Sequence, residues 1–162
     1  VELVLHCGDV LYHGPRNPLP DGYQPAMLAE EINAFSKPVI CAQGNCDAEV
    51  DQLLLDVPLQ SPYAQVFTPV WRILLHHGHR FNPESAPAWI NRFNLIISGH
   101  THLPELSRRG GTVMLNPGSP ALPKTAAKIP TLALIDGPVI QLVNLETGGV
   151  ISELRREAES GF

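Results

Sequence analysis

Four short apolar runs in this chain each lead into polar residues of metal-ligand type. Residues 3–7 end at Gly8-Asp9, 39–42 at Gly44-Asn45-Cys46-Asp47, 73–75 at His77-Gly78-His79, and 95–97 at Gly99-His100-Thr101-His102. A short continuous run rich in Val, Ile and Leu predicts a strand buried on both faces, as parallel strands are. The repeat gathers polar side chains at strand carboxyl ends, the edge where open α/β sheets bind ligands.

The order of elements follows from local signals. Gly14, Pro15, Pro18, Pro20 and Gly22 leave residues 10–24 without regular structure, as a shaped rim loop. Pro25 opens a helix in which Leu28, Ile32 and Phe35 recur at helical spacing until Pro38 ends it. Residues 39–42 are the next strand, and Asp47 caps a short helix through Leu53 and Leu54 that stops before Pro58. This βαβ unit implies a right-handed crossover and parallel pairing, so Asp9 and Asn45 become neighbours. A pair of strands around Pro69 spans 66–76, a short, weak helix is the most that 83–93 supports, and 95–98 resumes the sheet. Runs 112–115, 132–135 and 139–145, joined by Gly and Pro turns, predict an antiparallel meander, and an edge strand starts at Ile151. The expected architecture is two sheets, one mainly parallel and one mainly antiparallel, packed face to face with helices outside.

With 162 residues, 44% of them hydrophobic and 17% charged, the chain suits one domain over 1–162 that ends in a polar tail, 155–162. A formal charge of -5 argues against long nucleic acid as a partner, while leaving room for one phosphate at a local cationic site. No apolar stretch approaches the roughly 20 residues that cross a bilayer, and no signal-peptide pattern opens the chain, so no membrane partner is expected. Cys7, Cys41 and Cys46 are odd in number and two belong to apolar runs, which fits reduced thiols and a cytoplasmic location better than disulfides.

Asp, Asn and His together make a donor set for a divalent cation: manganese first, with zinc, nickel, iron or magnesium as alternatives. Asp9 has two carboxylate oxygens and can bridge two cations; Asn45 offers a carbonyl oxygen; His77, His100 and His102 offer imidazole nitrogens. Two metals are the natural count. His100 and His102 would share a face on a continuing strand and diverge towards different metals on a turn, and spacing leaves both open. Two cations about 3.5–4 Å apart polarise a phosphoryl group and clamp both oxygens of an in-line displacement, which makes phosphoester hydrolysis the leading chemistry.

Taken in order, Gly8-Asp9, Gly44-Asn45-x-Asp47, His77-Gly78-His79 and Gly99-His100-Thr101-His102 resemble the motifs of the calcineurin-like metallophosphoesterases. The stretches 8–17 and 44–47, with Asn116-Pro117-Gly118-Ser119, are similar to the small bacterial YfcE-type phosphodiesterases, and the likeness covers nearly the whole chain. The resemblance implies a four-layer αββα sandwich. It implies that Asp9 bridges two metals, that Asn45, His77 and His100 complete one site, and that His102 belongs to the other. The family draws two further ligands for the second metal from an Asp-x-His at the end of its first strand. No such motif precedes Gly8 here, so the fold is expected to lack its first βα unit in the chain as given, with the native polypeptide beginning upstream. The activity implied is phosphodiester hydrolysis by a metal-bound hydroxide.

The remaining candidates surround this set. His79 and Asp47 are candidate proton donors, because Cys46 stands where many superfamily members carry a histidine proposed to protonate the leaving oxygen. His13 and Arg16 in the rim loop are candidate substrate contacts, Arg for its paired hydrogen bonds to phosphate. His6 and His76 read as core or supporting histidines, and Trp71, Trp89 and Tyr63 as packing residues. The expected partner is a small phosphodiester, with homo-oligomerisation open. The competing readings are a protein-interaction scaffold on the same fold and a phosphomonoesterase or nucleotidase.

Overall fold

The computed structural model describes residues 1–81 and 88–157. The first unit is strand β1 (Val4–His6), helix α1 (Pro25–Ala34), strand β2 (Val39–Ala42) and strand β3 (Leu59–Gln60). β1 pairs parallel with β2, Val4 opposite Val39 and His6 opposite Cys41, and β2 pairs parallel with β3. Gly8-Asp9 and Gly44-Asn45 therefore leave one sheet edge side by side.

The second sheet holds β4 (Ala64–Phe67), β5 (Arg72–Leu75), β6 (Leu95–Ile97), β7 (Pro104–Arg109) and β8 (Thr112–Pro117), in the order β4-β5-β6-β8-β7. β5, β6 and β8 run parallel, so the His77 and His100 segments emerge from neighbouring strands at one edge. Alternation sorts their side chains. Ile73, Leu75, Leu95, Ile97, Val113 and Leu115 face the main core, while Leu74, Ile96 and Met114 face a smaller cluster with Ile90 and Phe93.

A third, antiparallel sheet is formed by β9 (Thr131–Asp136), β10 (Val139–Asn144) and β11 (Val150–Arg155). Its Ile140 and Leu142 enter the main core, where Leu3, Leu5 and Ile40 of the first unit also pack. Two small sheets thus cover one face of the large one. α1 lies outside the first of them, with Ala29 buried against Leu11 and Leu55. No helix among the described residues is long and apolar enough to cross a membrane.

Several elements differ from expectation. Hydrogen bonding divides the strands into three sheets rather than two. The meander starts at β9: β8 pairs parallel with β6 and antiparallel with β7. β8 buries Val113, Met114 and Leu115 in succession, which suits a strand covered on both faces. β7 has no apolar run, since an edge strand needs only Leu106 on the core side. Residues 88–92 form a 3-10 turn, and the rest of the expected 83–93 helix lies outside the described residues up to 87. Most of the expected polar tail, 158–162, also lies outside them. The helix expected after Asp47 is a 3-10 turn (Glu49–Leu53) capped at Ala48, whose N–H is bonded by Asp51. Leu28 and Phe35 are exposed, because the apolar stripe of α1 lines a cleft with Val39, Val57 and Leu59 instead of entering the core.

Candidate metal centre

The first two strand-end loops are pressed together so closely that only glycine fits between them. A Cβ on Gly8, at φ 94°, would stand 2.4 Å from the Gly44 nitrogen, and one on Gly44 would stand 2.1 Å from Asp9 Oδ1. The Asp47 carboxylate bolts the two loops to each other. It accepts N–H bonds from Asp9 at 2.8 Å, Val10 at 2.6 Å and Gly44 at 2.6 Å. Asp9 Oδ1 in turn accepts the Cys46 N–H at 2.8 Å, which turns Oδ2 towards His77.

His77 is buried and donates Nδ1–H to the Cys7 carbonyl at 2.7 Å, so its Nε2 keeps a lone pair. Around Nε2 stand Asn45 Oδ1 at 3.0 Å, His100 Nδ1 at 3.2 Å and Asp9 Oδ2 at 3.3 Å. Two donors bound to one cation at about 2.1 Å, at angles between square and tetrahedral, lie roughly 3.0–3.4 Å apart. The observed spacings fall in that interval. The donors touch one another directly, and no group of three or more His, Cys, Asp or Glu among the described residues is spaced as a ready cage. The fourth member here is an asparagine oxygen. Its amide is held by an Nδ2–H bond to Cys46 Sγ at 3.1 Å, which keeps Oδ1 on the His77 side.

The last loop carries His100 and His102 at φ 68° and 60°, a left-handed conformation that Asp9 shares at 57°. Non-glycine residues take it rarely, and such positions concentrate at functional sites. His102 donates Nδ1–H to the Leu122 carbonyl at 2.7 Å, so its Nε2 is also left with a lone pair. Bonds of this kind orient metal-ligating imidazoles. Asn116 braces the loop, donating to the Gly99 carbonyl at 2.9 Å and Thr101 Oγ1 at 3.0 Å. The Asn116-Pro117-Gly118-Ser119 turn therefore acts on the site through the His100 loop.

Charge follows the same pattern. Burial alone would lower the His77 pKa, but the Asp9 bond and charge and the Cys7 carbonyl outweigh it and raise the value. Burial would raise the Asp9 pKa, yet His77 and the Cys46 N–H bring it down. The pair attracts positive charge. His100 is lowered, by burial and then by His77, which keeps its ring neutral and able to donate a lone pair.

The other expected residues are distributed unequally. The His79 ring lies 5.2 Å from that of His77 and 6.3 Å from that of His100, and its Nε2 accepts Arg80 Nε–H at 3.0 Å. Asp47 does not cap a helix, and its oxygens are occupied by the three loop N–H groups. His13 is wedged edge-on between Tyr12 and Tyr23, at 4.8 and 5.2 Å. Arg16 is exposed on the same rim loop, whose Gly14 sits against Cys46 Sγ. Cys46 is partly buried, and burial followed by Asp9 raises its thiol pKa. His6 Nδ1 accepts the Gly8 N–H at 3.1 Å, and His76 is buried edge-on to Phe81 at 5.4 Å; neither is among the donors around His77 Nε2. The carbonyls of Cys7 and Leu122 were not foreseeable, since a backbone oxygen leaves no mark in the residue pattern. Arg80 directly follows His79, and that adjacency is the one mark its hydrogen bond to the His79 ring leaves in the residue pattern.

A calcineurin-like phosphoesterase superfamily domain matches residues 1–137. The chain belongs to the calcineurin-like phosphoesterase superfamily. It is 43% identical over 153 residues to phosphodiesterase YfcE of Escherichia coli strain K12, covering 94% of this chain and 82% of that protein. The solved structure of the E. coli phosphoesterase YfcE matches with a TM-score of 0.87 at 39% identity, over 96% of this chain and 85% of that one. Wild-type Vps29 of Entamoeba histolytica, solved with Zn2+, shares the fold at a TM-score of 0.55 and 21% identity, over 96% of this chain and 99% of that one. The calcineurin-like phosphoesterase match takes in Asp9, Asn45, His77, His100 and His102, the donors of the strand-end loops. Membership makes the chain a hydrolase of phosphoesters that works with divalent metal ions.

Proposed function

We propose that the protein is a metal-dependent phosphodiesterase whose first cation is held by Asp9, Asn45, His77 and His100. The observation that carries this reading is the convergence of Asn45 Oδ1, His100 Nδ1 and Asp9 Oδ2 on His77 Nε2, at 3.0–3.3 Å. Asp9 has a second oxygen with which to share a further cation, and His102, whose Nδ1 is engaged by the Leu122 carbonyl, is proposed to contribute its Nε2 lone pair to it. Manganese is the proposed metal, in a binuclear centre, with a small phosphodiester as substrate and the cytoplasm as location. Divalent cations bound here would polarise the phosphoryl group and lower the pKa of the attacking water.

The chain's own residues set the stage for that chemistry. Asp47 and the paired glycines hold Asp9 and Asn45 at fixed separation, and the Cys7 and Leu122 carbonyls keep His77 and His102 in the lone-pair tautomer. His79 and the rim residues His13 and Arg16 are proposed to meet the substrate. Cys46 stands where the family's imidazole acid would be, but a thiol whose pKa burial raises is a poor proton donor, and Asp47 is excluded from that role by its three N–H bonds. Esters with good leaving groups should therefore react fastest. The test is metal analysis followed by Mn-dependent hydrolysis of an activated aryl phosphodiester, with Asn45→Ala and His100→Ala compared against the parent. Loss of metal and turnover together in both variants is the expected result. Metal-independent or absent turnover in the parent would favour the scaffold reading, and a higher monoester rate would favour a phosphomonoesterase.

A further inference from the structure

We propose that Arg80 is an anion clamp of this active site, binding a non-bridging oxygen of the scissile phosphodiester; the proposal rests on the phosphodiesterase reading. Arg80 is exposed but tethered. Its Nε–H is donated to His79 Nε2 at 3.0 Å and its Nη1–H to Ser61 Oγ at 3.3 Å. Both acceptors are neutral groups. Among the described residues, the ion pairs join His77 to Asp9, Arg108 to Glu157 and Arg109 to Glu105, and none neutralises Arg80.

The combination separates Arg80 from an ordinary surface arginine. A solvated arginine keeps about 2 kcal/mol of rotamer entropy, which two tethers at the guanidinium largely remove. Among the described residues the tethers leave N–H donors of a rigid, planar fork unused, and that fork matches phosphate oxygens. The position is also specific: the ring of His79, which holds Arg80, lies 5.2 Å from His77 and 6.3 Å from His100. One imidazole therefore separates a preorganised cation, without an ion-pair partner among the described residues, from two of the proposed metal donors. Among the described residues the exposed rim residue Arg16 makes no side-chain hydrogen bond or ion pair, and it lacks this fixed placement. In a chain of net charge -5, a local positive group at this spot favours an anionic substrate over the surrounding surface.

The test uses the full chain loaded with Mn, bis(4-nitrophenyl) phosphate as substrate, and the variants Arg80→Ala and Arg80→Lys. A lost charge-assisted hydrogen bond should lower kcat/KM of Arg80→Ala by roughly 10- to 150-fold. Calorimetric affinity for inorganic phosphate should fall in parallel, with bound Mn unchanged. Arg80→Lys, which keeps the charge without the fork, should fall in between, and guanidinium ion but not urea should restore turnover to Arg80→Ala. Turnover and phosphate affinity within twofold of the parent would overturn the proposal, as would a loss that simply tracks loss of Mn. If the parent itself shows no Mn-dependent hydrolysis, the phosphodiesterase reading fails on its own, and the phosphate titration still decides whether Arg80 binds the anion.

Discussion

Asp47 carries more structure than its neighbours, because one buried carboxylate satisfies backbone N–H groups from both the Asp9 and the Asn45 loops. Asp47→Ala should cost about 3 kcal/mol in urea denaturation, since it orphans several buried donors at once. It should also weaken Mn binding through the displaced Asp9. A second expectation concerns acid. Burial lowers the His76 pKa from 6.5 to about 4. The neutral form is what the folded state holds, so His76's contribution is present above pH 6.5 and is lost as pH falls towards 4, where only the unfolded chain takes up the proton. That span corresponds to about 3 kcal/mol. His77 runs the opposite way: its raised value adds stability below pH 6.5 that disappears as pH rises through the folded pKa. Denaturation midpoints followed from pH 7 to 4 should fall less steeply in His76→Phe than in the parent.

The donors are placed by the strands that precede them, and β5 shows how closely packing and site are joined. Leu75 is fully buried two residues before His77. Leu75→Ala should destabilise the fold by about 2–5 kcal/mol, measured by chemical denaturation, and should loosen the His77 ring enough to lower metal affinity. The same elements explain what could be read in advance. β1, β2, β5 and β6 are apolar in nearly every residue, so their strand character and the place of Asp9, Asn45, His77 and His100 just past strand carboxyl ends were legible from residue pattern, whereas the division of those strands between two sheets was not. β7 was not, because Pro104-Glu-Leu-Ser-Arg-Arg buries one apolar side chain and looks like a loop. β8 was visible as a strand but not as a neighbour of β6, since pairing across the intervening β7 is a long-range choice that local pattern does not encode. The Leu28, Ile32 and Phe35 stripe correctly marked a helix, whereas the face it covers depends on what stands opposite.

At the level of the whole molecule, the centre joins loops from two separate sheets. The Asp9 and Asn45 loops belong to the first unit, and the His77 and His100 loops to the five-stranded sheet. A cation bound across them should therefore act as a cross-brace between layers. Mn at about a hundred times its dissociation constant should add roughly 2.7 kcal/mol to unfolding free energy, visible as a concentration-dependent rise in Tm. Asn45→Ala should abolish most of that rise while leaving the Tm without added metal close to the parent value, because Asn45 is exposed and packs little.

Asp9, His100 and His102 hold left-handed backbone without being glycine. That conformation costs an ordinary residue about 1–2 kcal/mol, so His100→Gly should melt higher than the parent in calorimetry while losing its cation. A library of this protein screened only for survival of heating would drift towards glycine at positions 9, 100 and 102, and the sturdiest clones would be the ones that had forgotten their chemistry.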